Sequence, residues 1–158
     1  MWLKLTGITP KKMSDLLKVF VDADVLFAAS ASPQEYSASS LVLLMSEIEL
    51  IDAVTSQQAI AEAERNLRKK MPRALPAFHY FVARSLDITP NPTTTELRHY
   101  LTLADTKDLP ILVAAIREEC HWLVTFNLRH FQPGHPDIRV VRPGTFVRRV
   151  REQLGYMQ

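Results

Sequence analysis

Apolar positions along the chain fall into two repeating patterns. Short, nearly continuous apolar runs occur at residues 19–28, 50–56, 121–127 and 137–143. Each predicts a buried strand. Between them the apolar residues take helical spacing. In 32–48 they fall at Leu41, Leu44, Met45 and Ile48, with Pro33 suited to a first helical turn. The segment "SQQAIAEAERNLRKK" (56–70) is built of strong helix formers, with Ser56 placed to cap it and Pro72 to stop it. Residues 73–86, 94–104, 108–120 and 144–154 predict further helices, and "DITPNPTT" (87–94) reads as a breaker-rich joint. Strands alternating with helices predict a three-layer α/β/α sandwich around a central parallel sheet. The expected division is a domain over 19–158 behind an extension, 1–18, of unassigned role.

Bulk properties narrow the class. A chain of 158 residues with 47% hydrophobic composition suits one domain with a full core. The net charge of +2 excludes a polybasic binder, though not a local basic face. No apolar run reaches the ~18 residues of a membrane span, so no membrane association is expected. The single cysteine, Cys120, forbids an internal disulfide and fits a cytoplasmic setting. Four glycines and no Gly-rich loop weigh against a nucleotide-binding fold.

Chemistry is suggested where the pattern is broken. In "VFVDADVLFAAS" (19–30) two aspartates, Asp22 and Asp24, interrupt an apolar run. If the run is a strand, the two share a face near its carboxyl end. Parallel sheets bind ligands at that end, and buried carboxylates need partners. Asp108 precedes Leu109 and Pro110, which makes it the expected N-cap of the next helix, with Asp105 a loop acid beside it. Thr125 and Asn127 close the 121–127 strand. Glu62 and Glu64 both border the apolar stripe of the 56–70 helix, and periodicity does not choose between them. Taken singly, each residue has a blander reading as a cap, a turn or a solvated face. Collectively the acids suggest an all-oxygen site for a hard cation such as Mg²⁺ or Mn²⁺. The five histidines are scattered, and no zinc spacing is present.

Five segments in order, "VFVDADVLFAAS", "SQQAIAEAERNL", "DTKDLPILVAAI", "CHWLVTFNLRHF" and "VVRPGTFV", resemble the successive motifs of PIN domains (the PilT N-terminus family) across roughly residues 19 to 147. "RPGTF" and "DLPIL" are most similar to the toxin-like, VapC-related prokaryotic branch. The resemblance implies a metal-dependent endoribonuclease, the toxin-like component of a toxin–antitoxin pair. It matches Asp22, Glu62 and Asp108 to the metal-holding acids and Asn127 to a fourth catalytic position. It thereby favours Glu62 over Glu64. Thr125 matches the family threonine, and Asp24 and Asp105 would be accessory. Two departures stand out: Asn127 is neutral, and His130 stands where many relatives carry an aspartate.

The implied cofactor is Mg²⁺ or Mn²⁺, which would lower the pKa of bound water and offset charge on the scissile phosphate. The implied partners are an RNA substrate, an antitoxin protein and a second copy in a homodimer. RNA needs a cationic track. "RNLRKKMPR" offers one, with Arg65, Arg68, Lys69, Lys70 and Arg73 as the candidate contacts. The neutral Asn127 supports a rival expectation, a catalytically weak PIN module acting in RNA binding or assembly.

Overall fold

A computed structural model describes residues 17–32 and 37–155. Most of the expected 1–18 extension, and Pro33, lie outside the described residues. Five strands form one sheet: β1 (Lys18–Val21), β2 (Asp52–Ser56), β3 (Asp87–Thr89), β4 (Trp122–Val124) and β5 (Arg139–Val141). Their order is β3-β2-β1-β4-β5, and every pairing is parallel. Seven α-helices are described: α1 (Ala23–Ala31), α2 (Ala38–Glu47), α3 (Gln57–Lys70), α4 (Leu75–Ser85), α5 (Thr94–Arg98), α6 (Leu109–Arg117) and α7 (Pro143–Gly155).

The sheet is buried on both faces, as a parallel sheet requires. Val19, Phe20 and Val21 of β1 have no exposed surface, nor do Leu123 and Val124 of β4. α1 packs on α2, α3 and α4, and α7 on α2, while α6 packs on β2 and α5. This is the three-layer α/β/α sandwich expected. The chain builds β2 and β3 on one side of β1, then crosses back to place β4 and β5 on the other. The order therefore reverses between β1 and β4, and a crevice opens at such a switch point, outside the carboxyl ends of the strands.

Several expected elements take a different form. The apolar run 19–28 is not one strand. β1 ends at Val21, and α1 begins at Ala23. The Asp22 carboxylate accepts the Ala23 N–H at 2.7 Å, and its carbonyl accepts from Val25 and Leu26. A buried helix and a buried strand carry the same apolar composition, so the run itself could not mark the boundary. Asp22 and Asp24 are thus neighbours across a strand-to-helix turn, not across a pleat. The expected 32–48 helix is α2, beginning at Ala38. The joint at 87–94 supplies β3, an edge strand whose Thr89 pairs with Ser56. An edge tolerates the proline that follows. The helix expected over 94–104 is the short α5, held by a reciprocal Thr93–Glu96 capping box. By contrast α3 matches its expectation, and Ser56 accepts the Ala59 N–H at 3.2 Å.

Candidate active site

The ends of β1 and β4 are tied together before any side chain acts. The Asp22 N–H donates to the Val124 carbonyl at 3.0 Å, and the Thr125 N–H to the Val141 carbonyl at 3.0 Å. From the other side, the buried Thr55 hydroxyl donates to the Val21 carbonyl at 2.8 Å. Asp22 is buried, as the cap of a helix that starts inside the core.

Thr125 joins the two aspartates. Its fully buried hydroxyl lies 2.8 Å from Asp22 Oδ2 and 3.3 Å from Asp24 Oδ2, so two carboxylates share one proton donor. Asp24 Oδ2 also accepts the Phe126 N–H at 3.0 Å and the Asn127 Nδ2–H at 3.2 Å. Asp24 is therefore the hub of the cluster. Its other oxygen, Oδ1, is buried with no hydrogen-bond partner. Asn127 stands at the start of a 3-10 turn (Leu128–Phe131) but does not cap it with its side chain. Its amide is used on Asp24.

The electrostatics follow from this crowding. Burial first, then the charge of Asp24, raises the Asp22 carboxyl from its ordinary 3.8 to about 7, with Glu62 adding to the rise. The bonds from Thr125 and Ala23 oppose it. Asp24 is raised as well, first by burial and also by Glu62, against the bonds from Phe126 and Thr125. Glu62, half-buried on α3, thus projects its charge onto both aspartates. Glu64 instead binds Arg68 at 2.7 Å. No basic side chain pairs with Asp22 or Asp24 among the described residues.

Asp108 belongs to a neighbouring group. It occupies the expected N-cap position of α6, but its side chain makes no capping bond, so the blander reading of it as a mere cap does not hold. The Asp105 carbonyl accepts from the Asp108 N–H at 2.9 Å and the Leu109 N–H at 2.8 Å, and the Asp108 carbonyl takes the Ile111 N–H at 3.0 Å. The Asp108 carboxylate instead meets His130, with Oδ2 3.0 Å from Nδ1. Asp105, Asp108 and His130 each offer a ligand atom within 4.8 Å of the others. The His130 carbonyl accepts the Asp105 N–H at 2.8 Å, and its own N–H donates to the Asn127 carbonyl at 3.1 Å. The 3-10 turn therefore links the two groups.

The basic tract lies elsewhere. α3 starts at the site edge and runs away from it, so Lys70 is about 12 Å further along the axis than Glu62. Arg68, Lys69, Lys70 and Arg73 are exposed there, with Arg68 already paired, whereas Arg65, also exposed, is within one turn of Glu62. Sequence reasoning did not foresee that Asp24 gathers the bonds from Thr125, Phe126 and Asn127, nor that His130 meets Asp108. The engagement of Glu64 was legible, because Glu64 and Arg68 have the i, i+4 spacing of a helix-surface ion pair.

A family model described as the PIN domain matches residues 18–129, well over half of the chain. The chain belongs to the PIN domain family. PIN domains are nucleases that use a divalent metal. Two solved structures share the fold. VapBC2 from Rickettsia felis, bound to a DNA fragment from its promoter, is 20% identical over 78% of this chain and 97% of that one, with a TM-score of 0.57. PAE2754 from Pyrobaculum aerophilum is 17% identical over 86% of this chain and 96% of that one, with a TM-score of 0.60. No curated protein matches the chain.

The residues present fit a divalent cation. A buried carboxylate oxygen without a partner, beside a second carboxylate of raised pKa, is what a hard cation would satisfy. Its donors here are oxygens, with His130 the one nitrogen close by.

Proposed function

We propose that this PIN domain is a Mg²⁺- or Mn²⁺-dependent endoribonuclease, the toxin component of a toxin–antitoxin pair. The observation that carries the reading is the pair Asp22 and Asp24, converging on one threonine hydroxyl with an oxygen unpartnered and no cationic side chain paired with them among the described residues. Asp22, Asp24 and Glu62 would hold the ion, with Asp108 beside them. A bound divalent ion would offset charge on the scissile phosphate and activate water for in-line attack.

The chain's own groups set the geometry for this. The hydroxyl of Thr125 and the N–H of Phe126 fix both carboxylates on a rigid strand end, so little reorganisation is left for the reaction. Asn127 supports Asp24 without adding a fourth charge. The likeness to VapBC2 supports an antitoxin partner, and growth arrest on expression, relieved by a cognate antitoxin, would test that role. A homodimer remains part of the proposal, checked by sedimentation.

The direct test is cleavage of single-stranded RNA in Mn²⁺ and in EDTA. Asp22→Asn and Asp108→Asn should each reduce the rate by on the order of 10²–10³, as losing a charge clamp on the reacting group does. Wild-type rates in either variant would reject the assignment. The neutral Asn127 favours a second reading, a weak module for RNA binding or assembly. RNA binding without cleavage in any divalent metal would decide for it.

A further inference from the structure

The residue between Thr125 and Asn127 is Phe126, and its side chain is 42% exposed. Its backbone is pinned, because its N–H is held by Asp24 Oδ2 at 3.0 Å. No aromatic ring of the described residues stacks on it or meets it edge-on. The flanking residue Thr125 is fully buried, so the chain turns outward at this point to present an apolar ring beside the carboxylates.

Two arginines sit on the adjoining segments. Arg142 follows β5 directly, and the β4–β5 register, which ends at Val124 opposite Val141, continues to place it level with Thr125. Arg129 lies in the 3-10 turn after Asn127. Both are exposed, and neither pairs with an acid among the described residues. An exposed aromatic ring on a pinned backbone, with arginines unpaired to acids on the adjoining segments, is the composition of a single-strand binding surface, in which a base stacks on the ring and phosphates meet the charges.

We propose that Phe126 stacks on one nucleobase of a single-stranded RNA, with Arg129 and Arg142 contacting its phosphates. The substrate strand then crosses the β4–β5 side of the crevice, not the basic tract at the far end of α3. This rests on the nuclease reading for its substrate class, RNA, but is tested by binding alone.

The experiment uses the full chain carrying Asp22→Asn, which silences cleavage. Fluorescein-labelled single-stranded RNA is titrated by anisotropy, alongside a strand of equal length carrying abasic sites. Adding Phe126→Ala should weaken binding of the base-bearing strand about 5- to 150-fold, the range set by one stacked base, and leave the abasic strand unchanged. Phe126→Trp should keep the affinity and show quenched emission on binding. Arg129→Gln or Arg142→Gln should each lower the salt slope by about 1, whereas Lys69→Gln should not. Equal binding of both strands by Phe126→Ala and its parent, or a slope that responds to Lys69 and not to the arginines, would overturn the proposal. So would a parent that binds no RNA. Cleavage by wild type, run in parallel, separates the two readings: RNA cutting with Phe126→Ala binding unchanged sinks the platform alone, and base-dependent binding without cutting sinks the nuclease alone.

Discussion

Arg117, at the end of α6, lies 3.2 Å from Glu96 and 3.1 Å from Glu118, and donates to the Thr89 hydroxyl at 2.7 Å and to the Pro90 carbonyl. Thr89 in turn donates to Glu118 at 2.9 Å. Every acid in that cluster meets a cation. At Asp22 and Asp24 the acids are more deeply buried and meet none. In the first cluster the Glu96 carboxyl is lowered, chiefly by the Thr93 N–H and then by Arg117, whereas in the second both aspartates are raised. The same chain that supplies an arginine where acids serve the fold leaves acids uncompensated at the switch point of its sheet. Uncompensated burial costs stability, and a divalent cation held there, as proposed above, would offset that cost.

The largest expected effect comes from removing the outside contribution. The Asp22 carboxyl titrates at about 7 when folded, against an ordinary 3.8. Between those values the folded chain holds a proton that the unfolded chain has lost. Stability from this group is therefore greatest below about pH 4, falls as pH rises toward 7, and is level above it. The full span is roughly 3 to 5 kcal/mol. Urea unfolding in EDTA should show wild type losing stability between pH 5 and pH 8, and Asp22→Asn losing much less. Mn²⁺ at pH 8 should restore wild type by binding linkage and leave the variant nearly unmoved. A flat wild-type profile in EDTA would erase the contrast with Arg117.

Thr125→Val sharpens the comparison at the next level. It keeps the shape at a fully buried position but removes the hydroxyl that Asp22 and Asp24 share. Groups that orient metal ligands are worth about 10–100-fold in metal affinity. Calorimetric titration with Mn²⁺ should show a loss in that range. An unchanged affinity would mean that Asp24 is held well enough by Phe126 and Asn127 alone.

What could be read in the sequence followed from local rules. α3 was legible because helix formers, a serine cap and a terminal proline all agree over one segment. The parallel sandwich was legible because strands and helices alternate. The β1–α1 boundary was not, since a ten-residue apolar run satisfies either element and only the Asp22 cap decides. Asp22 was found as a break in that run, while the rank of Asp24 depends on donors from residues 125 to 127, about a hundred positions away. Asp108 was placed correctly as the residue before α6, and its blander reading as a side-chain cap fails because its carboxylate makes no capping bond. Its partner His130 lies on another segment and follows no spacing rule. The basic tract at 65–73 was visible as composition, but the direction of α3 carries its end, from Lys69 on, away from the crevice.

The smallest effect tests the other side of the comparison. Arg117→Met removes the cation but keeps much of the side-chain length. Losing its bonds to the buried Thr89 hydroxyl and the Pro90 carbonyl should cost about 1–2 kcal/mol, and the ion pairs to the half-exposed Glu96 and Glu118 should add little. The loss should appear equally in EDTA and in Mn²⁺, because no acid of that cluster waits for an external cation. If divalent metal instead rescued Arg117→Met, the freed Glu96 and Glu118 would have become a cation site themselves. The distinction between the two clusters would then lie only in whether an arginine is present, not in where the acids stand.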